Sequence, residues 1–277
     1  MKIKTYPHSG RPGIGLKPRS EGQRPFLPQF ARHCPVLEAG SSMGFLVYPP
    51  LEKSEAFQVV NLGDGRFQYV YFLSSDDGSM QPIFTVNVTL PSGNTGRLKE
   101  EVEFSVPNPP TTAANALKMM RASIVPEELG TPTGGVTLRG STNFRTPENW
   151  DTVYLPVVNL IKPPVAPMLV VRVETDWYSQ ESEFRYVLQT GEAIASAHSM
   201  PVGQVIFLPR EQIILEDCSK EEVEKIRHSK EQFNREKSEH KTTTRYGLEY
   251  SLLYHRTSRK LRNATEKQAR DEGDVSD

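Results

Sequence analysis

Charged side chains alternate in the run 171–177, where Arg172, Glu174 and Asp176 are separated by Val173 and Thr175. An extended strand turns every second side chain to the same face, which would set these three in a row at intervals of roughly 7 Å. Two carboxylates beside a guanidinium can ligate a metal ion, or act as a general acid and base whose pKa values are pushed apart. Trp177 follows directly, and an aromatic ring beside charges offers a surface for stacking a planar ligand. Together with Arg210, these residues form the candidate ligand-binding set. The same alternation also describes a solvated strand face carrying a surface ion pair worth about 0–1 kcal/mol. Spacing alone does not choose between the two.

Metal chemistry has fewer supports. His33 and Cys34 precede the first strand-like run and His198 lies in a loop before Gly203. These are the weak candidate ligands, and a metal needs three or four donors that converge. No HxD or HxE pair marks an oxygenase triad, so a metal-dependent oxygenase ranks third among the functional readings. The Gly-rich stretch at Gly10–Gly15 lacks the preceding strand and following helix that a phosphate loop requires. No Gly-x-Ser-x-Gly elbow announces a serine nucleophile. Whether the chain is an enzyme is therefore left open, and no cofactor is specified.

At the other end, Lys241, Arg245, Arg256, Arg259, Lys260 and Arg262 stand against Glu249, while Tyr246, Tyr250 and Tyr254 recur every fourth residue. On a helix the tyrosines form one stripe. A basic helix with such a stripe could dock on nucleic acid or an acidic partner. Alternatively, the rings pack on the parent domain while the charges face water.

The elements that must position these residues are mostly strands. Runs at 44–48, 57–60, 67–73 and 83–90, and again at 153–158, 167–173, 184–188 and 204–208, are rich in β-branched and aromatic residues and separated by turn residues. Residues 1–30 are basic and rich in Pro and Gly, which predicts an extended arm, with the fold beginning near Arg32. An irregular insertion is expected at about 107–147, containing a short helix over 113–121. Ser219 with Glu222 is a capping-box pair that predicts a helix to about His240, with a second helix from about Tyr246 to Arg262. The helical tail thus spans 218–262, and residues 263–277 read as a disordered acidic end.

Bulk properties set the frame. The chain has 277 residues, and 33 Lys and Arg nearly cancel 34 Asp and Glu, so net charge selects no partner. Cys34 and Cys218 have neither disulfide-framework nor zinc-ribbon spacing. The start has no apolar signal region, and no stretch approaches the roughly 20 apolar residues of a membrane helix. The expectation is a cytoplasmic protein without a membrane partner.

Three segments, Arg32–Leu37 with Gly44-Phe45, Val171–Trp177 and Met200–Arg210, together resemble an uncharacterised family of bacterial and phage proteins known only as a domain of unknown function. That resemblance implies no activity. Val173–Trp177 and Pro201–Ile206 are also similar to a hairpin of the dUTPases and dCTP deaminases, which have the β-clip fold. The chain departs from them: it lacks the Pro-Arg-Ser-Gly phosphate motif, has Tyr178-Ser179 where they have Arg-Gly, and carries Glu174 in place of their base-contacting Asp. The resemblance implies a homo-oligomer, a trimer by analogy, with any site between subunits. The resulting expectation is a mainly β, antiparallel fold, β-clip-like or a jelly-roll-like sandwich, with two C-terminal α-helices. Its leading functional expectation is a ligand-binding protein or biosynthetic enzyme with a site for a small-molecule or nucleotide-like ligand. The alternative is a noncatalytic interaction protein, phage-related or structural, working through its basic arm and tail.

Overall fold

The computed structural model describes residues 2–22, 34–91, 97–160, 166–243, 247, 249–254 and 256–261. The chain divides into two compact units, Met1–Glu211 and Gln212–Asp277.

The first unit is a mainly β, antiparallel sandwich. Its largest sheet has five strands in the order β13-β3-β4-β5-β6: β3 (Glu55–Gly63), β4 (Arg66–Ser74), β5 (Met80–Thr89), β6 (Lys99–Phe104) and β13 (Ala193–Ala197). A four-stranded sheet runs β11-β9-β14-β2, with β2 (Phe45–Val47), β9 (Trp150–Leu155), β11 (Val171–Val173) and β14 (Gly203–Pro209). A third sheet, β10-β12-β7, contains β7 (Gly135–Arg139), β10 (Met168–Leu169) and β12 (Glu183–Val187). The alternation of apolar and polar residues explains why the five-stranded sheet has one dry face. Phe57 and Val59 on β3, Phe67, Tyr69 and Tyr71 on β4, and Phe84, Val86 and Val88 on β5 are all buried. They join one continuous core with Leu138, Tyr154, Phe184 and Val205 from the other two sheets.

Residues 107–147, expected to be irregular, carry much of this core. Helix α2 (Ala113–Ser123) begins at Thr112, whose side chain accepts from the Asn115 amide, and it buries Ala116 and Met120. A 3-10 turn (Pro126–Glu128) leads to β7, and β8 (Thr142–Arg145) follows. The short helix α1 (Pro35–Ser41) was not evident in the sequence; Pro35 supplies a pre-set φ at its first turn.

The N-terminal segment corrects another expectation. Residues 2–22 are not a free extended arm: β1 (Lys4–Pro7) pairs with β8, and the chain then turns at Arg11–Ile14. Arg11 grips buried Glu55 through both Nη atoms, at 2.7 and 2.9 Å, and Tyr71 donates to the same carboxylate. His8, 1% exposed, accepts from the Gly10 and Arg11 amides through Nδ1. The chain therefore enters the fold at β1, ahead of Arg32. Residues 23–33, including His33, lie outside the described residues.

The second unit contains helix α3 (Lys220–Glu239), capped by the reciprocal Ser219–Glu222 pair. Strand β15 (Lys241–Thr243) follows α3, its partner β16 (Glu249–Ser251) stands within the start of the second helix predicted from about Tyr246, and helical backbone is found at 253–254 and 256–261. Tyr250 is thus on a strand while Tyr254 is helical, so the stripe is broken; Tyr246 lies outside the described residues. So does the acidic end at 263–277. No helix among the described residues is long and apolar enough to cross a membrane.

Candidate functional site

The site forms at one end of the four-stranded sheet. Strand β11 stops at Val173, so the predicted row of three side chains on one strand does not exist. The chain turns instead, with the amides of Trp177 and Tyr178 both directed at the Glu174 carbonyl. Thr175 holds this turn from beneath: buried in the fold, its hydroxyl shares hydrogen bonds with Thr152 (2.7 Å) and Thr146 (3.0 Å). A β-branched residue with a small hydroxyl suits this spot, because it fills the crevice and satisfies two other buried hydroxyls.

The turn still brings Arg172 and Asp176 to one place, through a residue that the pattern did not reveal. Asp151, on β9, is 2% exposed and sits between two guanidinium groups. Arg172 Nε donates to its Oδ2 at 2.6 Å and Arg210 Nε to its Oδ1 at 2.8 Å. Arg210 Nη2 continues to Asp176 Oδ1 at 2.6 Å, and the Asn149 amide donates to Asp176 Oδ2 at 3.0 Å. Arg172 Nη2 reaches the Pro209 carbonyl. Two arginines and two aspartates thus form one chain of charge-assisted hydrogen bonds that ties the end of β14 to β9, β11 and the turn.

Electrostatics in this chain favour fully ionised groups. Burial alone would raise the Asp151 carboxyl, but the hydrogen bonds from Arg210 and Arg172 outweigh it and hold the group below the usual carboxylate range. The bond from Arg210 likewise lowers Asp176, and both aspartates push Arg210 further upward. A carboxyl held low does not donate a proton near neutral pH, so Asp176 is badly suited to the acid–base pairing that the alternating pattern suggested.

Beyond this neutralised chain lies an open depression of about 650 Å³, lined by Asp151, Arg172, Val173, Glu174, Trp177, Tyr178, Arg210 and Glu211. Trp177 is 65% exposed, far more than a large aromatic needs for packing. Its Nε1 donates to Glu174 Oε2 at 3.1 Å, which sets the indole's orientation, and the Tyr178 ring centre is 5.5 Å from its own. Four of the five candidate residues therefore line one depression, and the fifth, Asp176, is bonded to one of them, Arg210. Asp151, Tyr178 and Glu211 were missed. An acidic residue next to an apolar strand was the available signal for Asp151, because a buried carboxylate demands cationic partners.

The remaining candidates do not join this site. Among the described residues there is no group of three or more His, Cys, Asp or Glu that could hold a metal. Cys34 is half-buried and His198 lies on the turn after β13. In the second unit, Lys241 pairs with Glu249 at 2.8 Å, while Arg256, Arg259 and Lys260 are exposed; Arg245 and Arg262 lie outside the described residues.

No protein-family model matches the chain, and neither does any curated protein or solved structure. The likenesses to the uncharacterised bacterial and phage family and to the dUTPase hairpin rest on the short segments quoted for them.

Proposed function

We propose that this chain is a noncatalytic ligand-binding protein whose depression at Trp177 takes a small organic cation. The reading is carried by charge counting at the site. Arg172 and Arg210 are offset by Asp151 and Asp176, with which they are bonded, so they contribute little net field. Glu174 and Glu211 line the same depression and have no ion pair among the described residues, which leaves it negative. An exposed indole with an adjacent phenol provides the electron-rich faces that attract a cation, at about 0.5–2 kcal/mol per ring. A nucleotide's phosphates would meet two unpaired carboxylates, so of the small-molecule and nucleotide-like ligands expected from the sequence the former fits better. Catalysis has weaker support, since the aspartates are committed to salt bridges and are held ionised.

Calorimetric titration of the full chain with benzyltrimethylammonium tests this. An open site of this kind gives a dissociation constant on the order of 10⁻⁴–10⁻³ M. Trp177→Ala and Glu174→Gln should each weaken binding about tenfold, equivalent to ~1.4 kcal/mol. Equal affinity for benzoate or for adenosine monophosphate would contradict the reading.

A further inference from the structure

A second concavity, independent of the first, lies between the N-terminal segment and the edge of the sandwich. Its volume is about 460 Å³, within the roughly 300–1,000 Å³ of small-molecule pockets. One wall is Ile3, Ile14 and Leu16 from the N-terminal segment, and the floor is Phe45, Phe144 and Phe207. Phe207 packs against both other rings, its centre 6.1 Å from that of Phe45 and 5.5 Å from that of Phe144. Phe45 is nonetheless 39% exposed, so the floor is not fully covered by the chain's own described residues.

The wall is firmly built. Gly15 has φ +96°, and a Cβ there would lie 2.5 Å from the Pro49 carbonyl oxygen and 2.6 Å from Ser141 Cβ. Ser141 Oγ donates to the Leu16 carbonyl at 3.0 Å, and β1 pairs with β8 alongside. Such a pocket is shaped before a ligand arrives, which lowers the ordering cost of binding.

Charge at the rim selects the ligand. Among the described residues that line the pocket, Lys17 alone is charged. It is exposed and has no ion pair among the described residues, whereas the segment's arginines are occupied: Arg11 with Glu55 and Arg19 with Glu21. A mostly apolar interior with one free ammonium group at its mouth complements a molecule with an aliphatic body and a single anionic head. We infer that this pocket binds monomeric medium-chain carboxylates, with the chain on the Phe45–Phe144–Phe207 floor and the carboxylate at Lys17.

The test is titration of the full chain with decanoate, well below its micelle concentration, and with decanol and decyltrimethylammonium as comparators. The expected result is saturable binding of one decanoate, with both comparators at least fivefold weaker. Thr5→Trp fills the pocket from an exposed strand position that tolerates an aromatic, and should weaken decanoate at least tenfold with an unchanged melting temperature. Lys17→Glu leaves the pocket open and should weaken decanoate about fivefold while leaving decanol unaffected. Absence of decanoate binding at about 1 mM overturns the inference. So does equal binding of decanol, or binding that survives both substitutions. Co-sedimentation with anionic phospholipid vesicles, without binding of free decanoate, overturns it in favour of a membrane-docking face. Benzyltrimethylammonium should not compete with decanoate, so this result stands or falls apart from the one at Trp177.

Discussion

Asp151 and His8 show how much a single buried polar group determines here. Asp151 accepts from both Arg172 and Arg210, so Asp151→Asn leaves two guanidinium groups around a neutral amide and frees Asp176's partner to move. The expected outcome is a melting temperature lower by roughly 4–8 °C, together with weaker cation binding as the turn loosens. An unchanged melting temperature would reduce the network to a surface decoration. His8 works through its acceptor nitrogen. Because Nδ1 receives two amide protons, its own proton sits on Nε2, 3.8 Å from Glu181 and without a hydrogen-bond partner. Burial lowers the His8 pKa, and Arg139 and Arg11 add to that, against the opposing pull of Glu181. A histidine that resists protonation when folded contributes stability that is complete above its unfolded pKa of about 6.5 and is lost as pH falls toward its lower folded value. Melting temperatures at pH 7.5 and 5.5 should therefore differ less in His8→Gln than in the parent chain. An identical pH response would show that His8 does not titrate with folding.

Elements differ in how far their sequences announce them. The central strands β3, β4 and β5 were legible as runs of β-branched and aromatic residues between turn residues, with partial alternation in β5 at Val86 and Val88, and the capping box of α3 was legible from Ser219 and Glu222. β1 was not, since Lys4-Thr5-Tyr6-Pro7 has no apolar alternation and earns its place by pairing with β8. Nor was the turn after Val173: its residues have strand-like spacing, and the turn is held by backbone bonds to Glu174 and by the buried bonds of Thr175 to Thr146 and Thr152, which spacing does not announce. The fold brings the candidate residues together in another geometry, with the charges assembled around Asp151 and not along one strand face. Two element-level outcomes follow. Thr175→Val should cost about 1–2 kcal/mol by leaving hydroxyls unpaired, measured by urea unfolding. Arg11→Ala should cost roughly 3–5 kcal/mol, because it strands the buried Glu55 carboxylate, and should speed hydrogen exchange in β1. Exchange in β1 that matches the parent chain would argue against the Arg11 clasp.

At the scale of the molecule, the core formed by the described residues lies within the first unit. Every buried core residue from Val47 to Val205 precedes Gln212, whereas α3 buries none of its residues. A chain ending at Glu211 should therefore keep a melting temperature within about 2 °C of the whole, and a larger drop would show that the second unit contributes to stability. That truncated form should also retain both proposed pockets, since all their lining residues belong to residues 1–211. The central claim is that Trp177 and its neighbouring carboxylates form a cation site, and the two tryptophans of the chain, Trp150 and Trp177, make it directly observable. In a nitrogen–proton correlation spectrum recorded during titration with benzyltrimethylammonium, the Trp177 indole signal should shift saturably while that of Trp150 stays in place. A stationary Trp177 signal, or one that moves equally with benzoate, would contradict the account.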